Sequence, residues 1–263
     1  MSQFRAIVRK EWTDMVRNKL VLYVVILVPL LMLAIPVVML FVMARVPISS
    51  QDMQEIEPML KNPIFAGMTP LEAMQSVMAS NMLVLFLMMP LMVPVTIASY
   101  SIVGEKVSRS LEPLLATPIT TTRLLLAKGF AAAVPGITMT WVCYALFLVA
   151  ARLLAASDRV FAVFVDPMWL VAMFVLAPLM TIMAVMVGVI ISSRVNDPRA
   201  AEQLAALVLI PLMALFLGAM AGLILLNSTT FWITSALVAV ADVGLVYLGA
   251  ALFQRETILT RWK

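Results

Sequence analysis

Residues 101–129 read SIVGEKVSRSLEPLLATPITTTRLLLAKG, a charged, turn-rich segment set between uncharged runs at 73–104 and 129–151. A connection between two membrane spans needs few residues, yet this one carries an amphipathic leucine pattern. Leu111, Leu114 and Leu115 stand at i, i+3, i+4 spacing, and Pro118 ends the pattern. Ser110 is placed to cap a helix, with Glu112 in the first turn where a negative charge suits the helix dipole. Pro113 falls in the same turn, the one part of a helix that accepts it. The spacing predicts a short helix over about 110–117, lying across the mouth of a helical bundle with room for another protein to grip it.

Working outward, the flanking runs are long enough to cross a bilayer, for which about 20 residues suffice. Uncharged stretches cover Leu20–Ala44, Asn81–Gly104, Gly129–Ala151 and Pro167–Ser193. A fifth apolar stretch, Gln203–Gln254, is too long for one span, and Asn227-Ser228-Thr229-Thr230 divides it. The expected fold is an all-α membrane protein forming a single domain over 1–263, with six transmembrane helices. Their approximate limits are 20–44, 81–104, 129–151, 168–193, 203–226 and 231–253. Hydrophobic residues make up 63% of the chain and charged ones 12%, which excludes a water-soluble globular domain.

Residues 1–19 hold Arg5, Arg9, Lys10, Glu11, Asp14, Arg17 and Lys19 without a small-residue cleavage site, unlike a signal peptide. Phe4, Ile7, Val8, Trp12, Met15 and Val16 mark one face of an amphipathic helix, expected in the interface with its basic face towards anionic headgroups. Lys and Arg settle the orientation. With the N-terminus cytoplasmic, fourteen of the 18 lie on inside segments and four outside (Arg45, Lys61, Arg152 and Arg159). Both termini are therefore expected in the cytoplasm, and the basic balance reflects topology rather than nucleic-acid binding.

The connections carry local signals. Two short external helices are expected at Asp52–Leu60 and Pro70–Ala79, the second capped by Thr69 with Glu72 at its third position. The connection Arg152–Pro167 reads as a solvated link. Asp197 and Pro198 open a helix after a polar turn at 193–203, which is either a minor partner contact or a plain hairpin. Pro29, Pro36, Pro90, Pro94, Pro135, Pro178 and Pro211 lie inside spans, where each removes a backbone donor and kinks its helix.

Taken together, the central stretch resembles the type-2 exporter class of ATP-binding-cassette (ABC) permeases. Their hallmark is an acidic-basic start, Gly-Thr-Leu-Glu, apolar positions, Thr-Pro and a later Lys-Gly. Here stand Glu105-Lys106, Ser110-Leu111-Glu112, Leu114-Leu115, Thr117-Pro118 and Lys128-Gly129, with Arg109 and Ser110 at the family's Gly and Thr. Lys10-Glu11 and Arg17 match the helix that commonly precedes the first span. The resemblance implies that 110–117 is a cytoplasmic coupling helix, with Glu105, Arg109, Ser110, Leu111, Glu112, Leu114, Leu115, Thr117 and Pro118 meeting an ATPase. It further implies an ABC ATP-binding subunit as partner, pairing with a like or a second permease, and residence in a bacterial or archaeal cytoplasmic membrane. Exported substrates of the family include drugs, lipids, peptides and ions. Related alternatives are a haem-handling or cofactor-maturation permease, and a membrane assembly protein that transports nothing.

The residues exclude several other chemistries. No Gly-rich loop ending in Gly-Lys-Ser/Thr is present, so ATP and Mg belong to the partner and this chain is expected to bind no cofactor and catalyse no reaction. Histidine is absent and Cys143 stands alone, which removes disulfides within the chain, His-based catalysis and most zinc sites. The 22 methionines include Met180, Met183 and Met186 at every third position, read as adaptable packing or an apolar pathway lining rather than a metal site. Asp242 is the one ionisable residue deep in a span. A carboxylate there is either functional or a protonated group bonding helices together, and it should face the bundle interior or a dimer interface.

Overall fold

Asn18 separates the first two helices of the chain, α1 (Gln3–Arg17) and α2 (Lys19–Met43). Its side chain accepts from the backbone N–H groups of Leu20 and Val21, so the single intervening residue caps α2. The computed structural model describes residues 3–45, 67–107, 121–195, 197–220 and 227–252. Every regular element among them is helical.

The expected external helix and second span prove to be one continuous unit. Helix α3 (Pro70–Leu83) begins with the predicted capping box: Glu72 N–H donates to Thr69 Oγ1 at 3.3 Å, and Thr69 N–H to the Glu72 carboxylate at 2.7 Å. It then passes through a 3₁₀ turn (Val84–Met88) into α4 (Met89–Val107) without leaving helical backbone angles. The helical run that holds the expected span therefore begins at Pro70, eleven residues before 81. Helix α5 (Thr121–Leu154) also starts earlier than the expected 129, placing Arg123 and Lys128 inside a helix.

Beyond α5 come α6 (Asp158–Phe164) and α7 (Pro167–Val171), a π-helical turn (Ala172–Leu176) and α8 (Ala177–Arg194). After these follow α9 (Pro198–Ala205), a 3₁₀ turn (Ala206–Val208), α10 (Leu209–Met220) and α11 (Ser228–Leu252). Asp197 caps α9 as predicted, accepting from Arg199 N–H and Ala200 N–H. Among the described residues, five helices are long and apolar enough to cross a membrane: Lys19–Met43, Pro70–Glu105, Arg123–Leu154, Asp158–Arg194 and Ser228–Gly249. In the stretch expected as a span over 203–226, the described helix ends at Met220, and 221–226 lie outside the described residues. The helix expected at Asp52–Leu60 lies outside them too.

Prolines explain where the α-geometry breaks. A proline cannot donate to the carbonyl four residues earlier, and its ring crowds that carbonyl. For Pro90, Pro178 and Pro211 those positions are Phe86, Phe174 and Leu207, which fall within the two 3₁₀ turns and the π turn. At the π turn the Met173 carbonyl instead accepts the Trp141 indole N–H at 2.8 Å.

One helix is central and another peripheral. In the most apolar window of Pro70–Glu105, 78% of residues are buried, against 17% in Ser228–Gly249. Small residues allow the central helix its close neighbours. A Cβ on Gly136 of α5 would lie 2.5 Å from Pro94 Cγ, and one on Gly188 of α8 would lie 3.1 Å from Ala98 Cβ. Phe86, Phe147, Phe164, Trp169 and Phe231 are all buried in one cluster, and the Phe147 and Phe164 rings meet edge-on at 5.3 Å. The connection Arg152–Pro167 is thus no solvated link. Helix α6 buries Val160 and Phe164 in this core, and the Phe164 carbonyl accepts the Tyr144 hydroxyl at 2.6 Å.

Candidate functional site

Four side chains from three helices converge where α4 ends and α5 begins. Lys128 of α5 lies 2.7 Å from Glu11 Oε1 on α1 and 2.9 Å from Glu105 Oε2 on α4. It also donates to Ser101 Oγ on α4, at 2.8 Å, and that hydroxyl donates to Glu11 Oε2 at 2.6 Å. The ammonium hydrogen-bonds Glu11 and Ser101, and Glu105 meets it as an ion pair. The side chains of Lys128, Glu11 and Glu105 are 4%, 6% and 7% exposed. Lys10 completes the group from the solvent side, bonded to Glu105 and within 3.6 Å of Glu11 and 3.7 Å of Asp14.

The electrostatics follow from this geometry. Burial works to raise the Glu11 pKa, but the Lys128 charge and the bonds from Lys128 and Ser101 overcome it, holding the carboxyl below its ordinary value. Burial likewise pulls Lys10 down, and its bond to Glu105 with the nearby Glu11 and Asp14 charges more than compensates, so its pKa is raised. Two buried carboxylates and one buried ammonium would be costly alone; together they satisfy one another.

Local sequence explains how each residue gets there. Glu11 lies four residues after Ile7 and four before Met15, so helix periodicity puts a carboxylate within the packed face of α1. Ile7 and Val8 pack with Leu124, Ala127 and Ala131 of α5. Phe4, Trp12 and Val16, expected on that apolar face, are instead partly or well exposed. Ser101 and Glu105 are one turn apart on α4 and therefore face the same way. The signal in the sequence was Glu11 itself, a charge inside an apolar stripe, but nothing local names Lys128 as its partner.

Of the predicted coupling residues, only Glu105 falls among the described residues, and it belongs to this cluster. Arg109, Ser110, Leu111, Glu112, Leu114, Leu115, Thr117 and Pro118 lie outside them. The cluster holds both roots of the 108–120 segment, since Glu105 precedes it and Lys128 follows it. Asp242 stands apart. It is 6% exposed, on the α11 face that includes Ser235 and Gly249, and neither carboxylate oxygen has a hydrogen-bond partner among the described residues. Two turns along that face, a Cβ on Gly249 would lie 3.7 Å from Met186 Sδ and 4.0 Å from Ile190 Cγ1, so this end of the face packs towards α8. A further tie joins α9 to the centre: Thr96 Oγ1 donates to Glu202 Oε1 at 2.6 Å.

The family model described as "ABC-2 family transporter protein" matches residues 5–235, from α1 into α11. No curated protein matches the chain.

Proposed function

The chain belongs to the ABC-2 transporter family as a multi-pass membrane permease, and on that premise we propose that it forms the pathway of an ATP-driven exporter for hydrophobic or amphipathic substrates. A separate ATP-binding subunit supplies ATP and Mg, and two permeases, alike or different, complete the assembly. Both termini lie in the cytoplasm, in line with the Lys and Arg asymmetry. Segment 110–117 is the helix that the ATP-binding subunit grips, with Leu111, Leu114 and Leu115 in a groove and Glu112 against a basic group.

The observation that supports this reading is the Glu11–Lys128–Glu105 cluster. A push on a short segment moves the bundle only if its two roots move as one body. Here a buried ammonium binds the root before the segment to the root after it, and both to α1. Glu112→Lys should leave membrane insertion intact but weaken retention of the ATP-binding subunit or uncouple hydrolysis from transport. The assay is co-purification followed by ATPase and transport measurements in proteoliposomes. A variant that retains the subunit and transports normally would remove 110–117 from the coupling role.

A further inference from the structure

The second half of α2 carries a feature that the coupling reading does not use. Leu31, Ile35, Val38 and Val42 stand at i, i+4, i+7 and i+11 and so form one stripe along the helix. They are 53%, 45%, 56% and 46% exposed. Beside them opens a groove of about 870 Å³, walled on the far side by Met74 of α3. Every residue that lines it is apolar, and four of them are methionines.

The stripe ends in a cation. Ala44 N–H donates to the Leu40 carbonyl and Arg45 N–H to the Val42 carbonyl, each at 3.0 Å, so the helical path carries on past α2. Arg45 thus comes round at i+14 beside the stripe, one turn beyond Val42. Its guanidinium lies 4.3 Å from the centre of the Phe41 ring, and among the described residues it has no carboxylate partner. From Leu31 to Val42 the helix rises about 16 Å. That is about half the hydrocarbon thickness of a bilayer, the depth of a single leaflet.

We propose that this groove seats one acyl chain of an anionic phospholipid, drawn from the leaflet at the C-terminal end of α2, with its phosphate against Arg45. The lining offers no polar group, so what fills the groove is hydrocarbon, and the groove is as long as one leaflet is deep. Methionine side chains are unbranched and flexible, which suits them to an irregular chain. A guanidinium matches phosphate oxygens through paired N–H donors. A zwitterionic headgroup would bring a second cation beside Arg45, whereas an anionic one keeps its charge for it. The inference requires only that the chain is embedded in a bilayer, so its failure would leave the coupling proposal untouched.

The test uses the full chain in nanodiscs of dioleoylphosphatidylcholine. A trace of phosphatidylglycerol or of phosphatidylcholine is added, each with a diazirine midway along one acyl chain. After irradiation, mass spectrometry compares the label on residues 31–43 and Met74 with that on the exposed α11 positions Leu237, Val240 and Val243. Relative to α11, phosphatidylglycerol should label the groove about five-fold more than phosphatidylcholine. Arg45→Gln should bring that ratio close to one, and Arg45→Lys should keep most of it. Val38→Trp, which fills the groove, should lower groove labelling by both lipids while the α11 label stays. Equal groove labelling by the two lipids, an unchanged ratio in Arg45→Gln, or undiminished labelling in Val38→Trp would each overturn the site.

Discussion

Replacing Lys128 by Met separates the interior of the cluster from its rim. The substitution keeps much of the side-chain volume but removes the ammonium that lies 2.7 Å from Glu11 and 2.9 Å from Glu105. Two carboxylates, 6% and 7% exposed, are left without the ammonium buried between them. Breaking a buried pair by deleting one partner costs about 3–5 kcal/mol, because the surviving charge stays desolvated. Lys10→Met also removes an ammonium from Glu105, but that side chain is 45% exposed. Screening by water discounts it to about 1 kcal/mol or less. The expected ratio between the variants is therefore large: Lys128→Met should open the α1 contact by about a hundred-fold or more, and Lys10→Met by less than about ten-fold. Hydrogen exchange of α1 amides in detergent reads this opening directly. Adding Glu11→Gln to Lys128→Met should recover part of the loss, since one uncompensated charge goes with it. Equal exchange in Lys10→Met and Lys128→Met, or no recovery in the double variant, would refute the account of Lys128 as the buried tie.

The remaining predictions concern pH, packing and the buried carboxyl. The lowered Glu11 pKa makes its contribution complete above the ordinary value of 4.5 and lost as pH falls through the folded value, while that of Lys10 is complete below 10.5 and lost as pH rises through its raised value. Protection of α1 should therefore stay level between about pH 5 and 10 and fall on acidification, with a shallower fall in Glu11→Gln by hydrogen exchange. Gly136→Ala sets a Cβ 2.5 Å from the rigid Pro94 ring. Overpacking of about 1–3 kcal/mol should exceed the helix-propensity gain of about 1 kcal/mol and lower the unfolding temperature. Gly104→Ala, whose added Cβ meets nothing within 4 Å, should not lower it. Asp242→Asn keeps a polar group at this buried position of α11 and should preserve folding and assembly; loss of transport with normal assembly would assign the carboxyl a working role, whereas failure to assemble would mark it as structural.

What the sequence determined by itself was set by short-range physics. Thr69, Glu72 and Asp197 bond backbone groups two or three residues away, and Pro198 suits a first helical position, so these helix starts could be read without knowing the fold. The long apolar runs likewise declare themselves, because a membrane span satisfies its own backbone hydrogen bonds. The limits of the second span were less legible: Thr69 starts a helix, but nothing in the local pattern said that it would run through Val84–Met88 into α4. The link at Arg152–Pro167 misled for a related reason. Its charges are local, but Val160 and Phe164 find their partners in the aromatic core. The ion cluster was decided by tertiary structure alone. Glu11 and Lys128 are 117 residues apart, and neither carries a mark that selects the other. Their pairing follows from Ile7 and Val8 packing on Leu124 and Ala127, which brings a carboxylate and an ammonium out of water together. Once both are buried, the cost of leaving either one alone holds α1, α4 and α5 in a single arrangement.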